Sequence, residues 1–199
     1  DLDPTKFVKG VENITLHKAM TMSSGLRFSD EQLKKFRSNP KQYKGLHQIQ
    51  AFLELSKPIA LGSQTFNYTG VDPIMVMQVI DAVVPGSAKT FIKNELLDKL
   101  DINNYKWRDD HSGLPIGDSG SNFTSRDMLK FGSLLANKGR WNGKQLISAI
   151  FLAKATSNIT KAAADWHPDS FNYGYYFYQT DIAVGDKSYD TNVIWGGGG

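Results

Sequence analysis

The chain has 199 residues, of which 40% are hydrophobic and 22% are charged, and this composition is typical of a globular protein rather than a disordered one. The net charge of +3 is too small to favour a nucleic-acid partner, and no apolar run has the length of a membrane span. The sequence holds no cysteine, which excludes disulfides, thiolate metal sites and a cysteine nucleophile.

Predicted helices fill most of the chain. They are expected at residues 15–22, from Ser29 to just before Pro40, at 46–55, from Asp72, from Ser87 to about Leu100, from Thr124 to before Asn137, and from Ser148. Ser29 and Gln32 have the spacing of a capping box, in which each side chain bonds the other residue's backbone N–H. Asp72 is expected as an N-cap, with Pro73 at the first helical position. The following residues are apolar nearly all round, so this helix is predicted to be buried on most sides.

The C-terminal part changes to a strand pattern. Aromatic residues alternate from Tyr173 to Phe177, Gly185-Asp186-Lys187 indicates a turn, and residues 189–195 are predicted as a second strand. A helical body followed by strands predicts an α+β fold with segregated elements. Residues 1–168 are expected to form the mostly helical region, and residues 169–199 the start of an antiparallel sheet.

A long loop is expected between residues 103 and 122, and long ordered loops are often functional. Gly117-Asp118-Ser119-Gly120 matches the nucleophile loop of chymotrypsin-like proteases in four letters only. Because those proteases are all-β and this chain is mainly helical, ordinary loop composition is the favoured interpretation. The four histidines lack metal-ligand spacing and no phosphate-binding glycine loop is present, so neither a metal nor a cofactor is expected.

Several short motifs occur in one order along the chain. They are Ile14 to His17, Met20 to Leu26 with Ser23-Ser24-Gly25, Phe66-Asn67-Tyr68-Thr69, Thr124 to Gly132, Gly139 to Gln145, Tyr173-Gly174-Tyr175 and Trp195-Gly196-Gly197. In this order the chain resembles the serine β-lactamase-related family, which includes class C β-lactamases, D-Ala-D-Ala carboxypeptidases, family VIII esterases and amide-oligomer hydrolases. The resemblance implies a β-lactamase/transpeptidase-like fold, with this chain an internal piece truncated before Asp1 and after Gly199.

The resemblance also implies acyl transfer through a serine ester, with a Ser-x-x-Lys motif supplying the nucleophile and a neighbouring base. Tyr68-Thr69-Gly70 resembles the family's Tyr-Ser-Asn motif, which gives Tyr68 the proton-transfer role. A phenol has a reference pKa of about 10, so it acts as a base only where a cation favours the phenolate. A core tyrosine packed before the buried helix is the alternative interpretation.

The C-terminal glycines resemble the family's third motif, in the variant found in family VIII esterases. The resemblance gives Trp195, Gly196 and Gly197 a place in the substrate cleft and gives Gly198 an N–H for the oxyanion. A strand that ends in a flexible glycine run is the alternative. Trp195 replaces the family's usual Lys, and Gly70 replaces an Asn. Both changes weaken a β-lactamase or carboxypeptidase assignment and favour an esterase or amide hydrolase.

The nucleophile motif is expected upstream of Asp1. Ser38-Asn39-Pro40-Lys41 matches Ser-x-x-Lys in letters, but Pro40 would break the helical turn that brings Ser and Lys together. The expected function is therefore part of a serine hydrolase of small-molecule esters or amides, periplasmic or secreted, whose isolated chain is inactive. A non-catalytic ligand-binding homologue and an inactive fragment are the alternatives. The ligand groove of the former would be lined by Trp166, Tyr173, Tyr175, Tyr176 and Tyr178.

Overall fold

Short helices make up most of the chain up to Ala155 in the computed structural model, which describes residues 1–39, 41–163 and 170–193. The helices are α1 (Leu16–Met20), α2 (Asp30–Ser38), α3 (Leu46–Leu55), α4 (Val71–Val83), α5 (Ala88–Ile92), α6 (Ser125–Ala136) and α7 (Ala149–Ala155). Helix α5 continues through a π-helical turn, Lys93–Leu97, and a 3-10 turn, Asp98–Leu100. Further 3-10 turns lie at Pro4–Lys6, Val11–Asn13 and Leu61–Ser63.

Side-chain N-caps begin most of these helices. Ser29 Oγ accepts from the backbone N–H of Gln32 at 3.2 Å, and the Gln32 side chain accepts from the N–H of Ser29 at 2.8 Å, which confirms the capping box. Thr124 Oγ1 likewise accepts from the N–H of Asp127 at 3.1 Å at the start of α6. Helix starts are therefore encoded locally, by side chains that satisfy N–H groups left without an intrahelical partner.

Helix α4 differs from its prediction in two respects. It begins at Val71 rather than after Asp72, so the expected N-cap role of Asp72 is wrong. Asp72 lies in the first turn, and its carboxylate accepts from the backbone N–H of Ser24 instead of capping α4. Burial on most sides holds only for the first half of α4, because Val79 and Val83 near its end are exposed.

Separate clusters of apolar side chains hold the helices together. The largest cluster includes side chains from all four helices α1, α2, α3 and α4, and it is built around Phe36, Phe52 and Met75. A second, around Leu97, Leu100 and Leu134, packs the end of the α5 segment against α6. Since α1 and α3 both pack on α4, the residues that immediately precede α4 are held by a well-packed scaffold.

Antiparallel sheet forms the C-terminal part, as the strand pattern predicted. The strands are β1 (Lys106–Trp107), β2 (Ser121–Asn122), β3 (Arg140–Trp141), β4 (Lys144–Gln145), β5 (Thr160–Lys161), β6 (Asn172–Tyr173), β7 (Tyr178–Val184) and β8 (Lys187–Val193). Strands β5 to β8 form one sheet in that order, while β1–β2 and β3–β4 are small hairpins. The helical body and antiparallel sheet confirm the α+β fold class. Strand β5 precedes residue 168, and the division of the chain there stays a prediction.

The hairpin of β7 and β8 turns at Gly185-Asp186, where Val184 pairs with Lys187. At its other end Tyr178 pairs with Val193. Among the described residues, no single helix is both long enough and apolar enough to cross a bilayer. Helix α4 and the Ala88–Leu100 segment reach that length together, but they meet at an angle of 88°.

Candidate active site

Tyr68 lies at the surface, directly before α4, and its side chain is 49% exposed. It lines two cavities, of about 670 and 250 Å³. The two cavities share Tyr68, Thr69, Gly70, Gly117 and Asp118, so they adjoin along this line of residues. The structure therefore places Tyr68 at a cleft rather than in a packed core, and its proton-transfer role stays a prediction.

The backbone that carries Tyr68 is fixed by polar contacts to the loop after α1. The N–H of Asn67 donates to the carbonyl of Met22 at 2.7 Å. The Arg27 guanidinium donates to the carbonyls of Ser63 and Thr65 at 3.3 and 3.1 Å. Because Arg27 bridges carbonyls that no helix or strand satisfies, it fixes the chain three residues before the tyrosine. Tyr68 is thus presented on a braced segment.

The C-terminal end of β8, the second strand of the C-terminal hairpin, pairs with a residue that contacts Tyr68. The rings of Tyr68 and Tyr178 are stacked with centroids 6.5 Å apart, and Tyr178 pairs with Val193, the last described residue of β8. The predicted cleft motif follows this strand directly in sequence. Trp195, Gly196, Gly197 and Gly198 themselves lie outside the described residues, so their oxyanion and substrate-binding roles stay predictions.

Asp72 is a buried carboxyl next to this cleft. It is 2% exposed, and its Oδ2 accepts from the backbone N–H of Ser24 at 3.3 Å. Burial raises the pKa of Asp72 to about 6, against the opposing influence of the bonds to Ser24 and the charge of Arg27. Its contact with Ser24 ties the start of α4 to the loop that follows α1.

Asp118 occupies the space that a side chain at position 70 would need. A Cβ added at Gly70 would overlap Oδ2 of Asp118, so no larger residue fits at position 70 while Asp118 keeps this position. Gly117 beside it lies against the carbonyl of Pro73 in α4, where an added Cβ would come within 2.5 Å of the oxygen. The departure from Tyr-Ser-Asn is thus accompanied by a carboxylate from a distant loop.

The tyrosines proposed as a ligand groove divide between core and cleft. Tyr173 and Tyr178 are buried against each other with ring centroids 4.8 Å apart, yet both border the smaller cavity together with Tyr176. Tyr175 is buried elsewhere, where its hydroxyl lies 2.7 Å from His17 Nδ1. Trp166 lies outside the described residues. The structure brings three of the five predicted groove residues to one cavity.

The hydroxyl residues considered as nucleophiles lie in unsuitable places. Ser38 is the last residue of α2 and donates to the carbonyl of Lys35 at 3.2 Å, so it does not begin a helical Ser-x-x-Lys turn. Ser23 and Ser24 are buried in the loop after α1. Among the described residues, no group of three or more His, Asp or Glu side chains is placed to hold a metal ion.

Asp118 and Asp72 are the site residues that sequence reasoning missed. The replacement of Asn by Gly at position 70 was a usable signal, because a lost side chain in a cleft leaves room for another. Local sequence patterns do not show which distant residue fills that room, since Asp118 lies 48 residues further along the chain.

Comparisons with known proteins place this fold among penicillin-binding proteins. No family model and no curated protein matches the sequence. A penicillin-binding protein from Bacillus halodurans is 14% identical, with a TM-score of 0.61 over 85% of this chain and 59% of its own. A D-stereospecific amidohydrolase from a Streptomyces species is 16% identical, with a TM-score of 0.64 over 90% of this chain and 62% of its own.

A penicillin-binding protein homologue from Caulobacter crescentus gives a similar result. It is 12% identical, with a TM-score of 0.62 over 88% of this chain and 57% of its own. The chain therefore spans somewhat more than half the length of these structures. The likeness confirms the β-lactamase/transpeptidase-like fold that the ordered motifs indicated.

Proposed function

We propose that this chain, which has the fold shared by penicillin-binding proteins and β-lactamase-like hydrolases, is part of a serine hydrolase. The reaction would cleave an ester or amide bond through an acyl-enzyme, and would be closer to that of an esterase than to that of a β-lactamase. The observation that carries the proposal is the half-exposed Tyr68, which stands in a cleft at the start of α4 and stacks beside the end of the β7–β8 hairpin.

In this reaction a serine oxygen attacks the carbonyl carbon of the substrate, and the serine proton is passed on to the leaving alcohol or amine. Tyr68 would accept that proton and return it, a role that needs a nearby cation such as the family's lysine to favour the phenolate. Because Ser38 is unsuitable, the proposal takes the serine and its lysine from a part of the protein outside these 199 residues. No metal or cofactor enters the reaction.

A preference for esters and amides with a less charged acyl group rests on the two departures from the family pattern. Gly70 removes an amide donor, and in the sequence Trp195 replaces the motif's lysine, a cation suited to a substrate carboxylate. The structural neighbour from Streptomyces is an amidohydrolase, which supports amide bonds as one of the bond types cleaved. A periplasmic or secreted location belongs to the proposal as well.

The test is the replacement Tyr68→Phe in the complete protein. We expect kcat/KM for a 4-nitrophenyl ester to fall about a hundredfold or more, the usual loss when acid–base help is removed. Tyr189→Phe is the matched control: this residue is 51% exposed on β8, so the same hydroxyl is removed from a similar surface. Its kcat/KM should stay within about twofold. Equal activities in both variants would remove Tyr68 from the mechanism.

Labelling of the complete protein with a fluorophosphonate separates the hydrolase from a ligand-binding homologue. An activated serine forms a covalent adduct, and peptide mapping of that adduct locates the nucleophile. Absence of labelling together with absence of ester turnover would favour the non-catalytic alternative.

A further inference from the structure

The smaller cavity beside Tyr68 contains an unusual combination of side chains. Among the described residues that border it, Asp118 is the only Asp, Glu, Lys, Arg or His. Four tyrosines, Tyr68, Tyr173, Tyr176 and Tyr178, also border this volume of about 250 Å³, beside small and aliphatic residues. A single carboxylate among tyrosine rings is an arrangement that attracts cations.

The position of Asp118 is set by the folding of its loop onto α4. The Trp107 indole donates to the carbonyl of Ile116 at 2.9 Å, and the N–H of Ile116 donates to the carbonyl of Arg108 at 3.0 Å. These hydrogen bonds hold two segments of the loop together, so that Gly117 packs against Pro73 and Asp118 lies next to Gly70. Two glycines without side chains therefore allow the carboxylate to reach the cleft.

The Asp118 carboxylate has no cationic partner in the described part of the chain. Its Oδ1 accepts from the Ser119 hydroxyl at 3.1 Å. No lysine, arginine or histidine nitrogen among the described residues lies within 4.0 Å of it, whereas Asp109 nearby is paired with Lys89 at 2.5 Å. The charge of Asp118 is thus available to a ligand in the cleft.

The tyrosines complement that charge. Burial is the main cause that raises the pKa values of Tyr173, Tyr176 and Tyr178, so these phenols stay neutral at physiological pH. Neutral aromatic rings attract cations through the negative potential of their faces, and sites for quaternary ammonium ligands are built from such rings. A carboxylate adds an attraction between opposite charges to the same ligand.

We propose that the smaller cavity binds an ammonium group carried by the substrate, and that Asp118 is the residue that determines this specificity. The inference rests on the proposed hydrolase function and names its substrate class: esters or amides with a positively charged substituent. The large neighbouring cavity, which also borders Tyr68, would receive the remainder of such a substrate.

The experiment compares cationic and neutral substrates of equal shape in the complete protein. On the acyl side, 4-nitrophenyl 4-(trimethylammonio)butyrate is paired with 4-nitrophenyl 5,5-dimethylhexanoate. On the alcohol side, acetylthiocholine is paired with 3,3-dimethylbutyl thioacetate. We expect Asp118→Asn to lower the cationic-to-neutral ratio of kcat/KM about tenfold or more in at least one pair, since the attraction between opposite charges is lost.

Asp186→Asn is the matched control. It removes the same charge at the exposed turn between β7 and β8, at the far end of the hairpin from Tyr178, and it should leave both ratios unchanged. If Asp118→Asn leaves the cationic-to-neutral ratio of kcat/KM unchanged in both substrate pairs, the proposal is overturned.

A binding measurement keeps this inference separable from the proposed function. The probe is benzyltrimethylammonium, which cannot be hydrolysed, titrated calorimetrically into the complete protein. We expect Asp118→Asn, but not Asp186→Asn, to raise its Kd about tenfold. If no ester is turned over while this difference in Kd is observed, the hydrolase proposal fails and the ammonium site stands. If esters are turned over but neither the ratio nor Kd depends on Asp118, the ammonium site fails alone.

Discussion

The buried carboxyl of Asp72 makes the stability of the fold depend on pH in a defined direction. Its pKa rises from 3.8 to about 6 because burial disfavours the charged form. A carboxyl whose pKa is higher in the folded state binds its proton more tightly there. The favourable contribution of Asp72 to the free energy of unfolding is therefore complete below its pKa in the unfolded chain, and it is lost as the pH rises through about 6.

The size of the effect follows from the shift. About two pKa units, at about 1.4 kcal/mol each, give about 3 kcal/mol of stability lost between about pH 4 and about pH 7. The replacement Asp72→Asn removes the titration but retains an oxygen that can accept from the Ser24 N–H. The variant should therefore gain about 3 kcal/mol relative to the wild type over this pH range.

Urea unfolding of the complete protein at a series of pH values, followed by circular dichroism, measures this difference. Subtracting the wild-type free energy of unfolding from that of Asp72→Asn at each pH cancels the other titrating groups. Asp127→Asn is a control of opposite sign, because bonds from Thr124 and Lys130 lower the pKa of Asp127. Its difference should become less favourable as the pH rises from acid values to about 4, and it should change little between about pH 4 and about pH 7. An Asp72→Asn difference that stays constant within about 0.5 kcal/mol from about pH 4 to about pH 7 would refute the reasoning.

Replacements at three further positions test the scaffold. Gly70→Ala should lower the free energy of unfolding by about 1–3 kcal/mol, because its Cβ would overlap the Asp118 carboxylate. Gly132→Ala, with open space around an exposed position in α6, should instead raise it by about 0.5–1 kcal/mol. Thr124→Ala should lower it by about 1 kcal/mol through loss of the α6 N-cap, whereas Thr124→Ser should retain most of the stability. Chemical denaturation measures all three, and a stabilising Gly70→Ala would contradict the close approach of Asp118.

Local rules explain which parts of the secondary structure were predictable. The capping box of Ser29 and Gln32 and the Thr124 cap depend on side chains within three residues of the groups they bond. Periodicity identified α4 as an apolar helix, but not which of its turns would be covered, because that depends on elements far away in sequence. Val83 stays exposed for this reason.

The candidate site divides in the same way. The motif Tyr68-Thr69-Gly70 at the head of a helix was visible in the sequence, since it is contiguous. Asp118 was dismissed as part of an ordinary loop, because nothing within four residues of it indicates that the loop folds onto α4. The prediction that Asp72 is an N-cap was wrong because its carboxylate accepts a hydrogen bond from the backbone N–H of Ser24, far away in sequence, instead of from an N–H of its own helix.

By itself, then, the sequence determined most of the helix starts, the change to strands near the C-terminus and the order of motifs that indicates the fold. These features arise from hydrogen bonds and apolar spacing within a few residues, which any reader of the chain can follow. The tertiary structure alone decided that a carboxylate stands over Gly70 and that tyrosines from the sheet border the same cavity as Tyr68. Such juxtapositions depend on packing between segments tens of residues apart, where steric fit rather than local preference selects the neighbour.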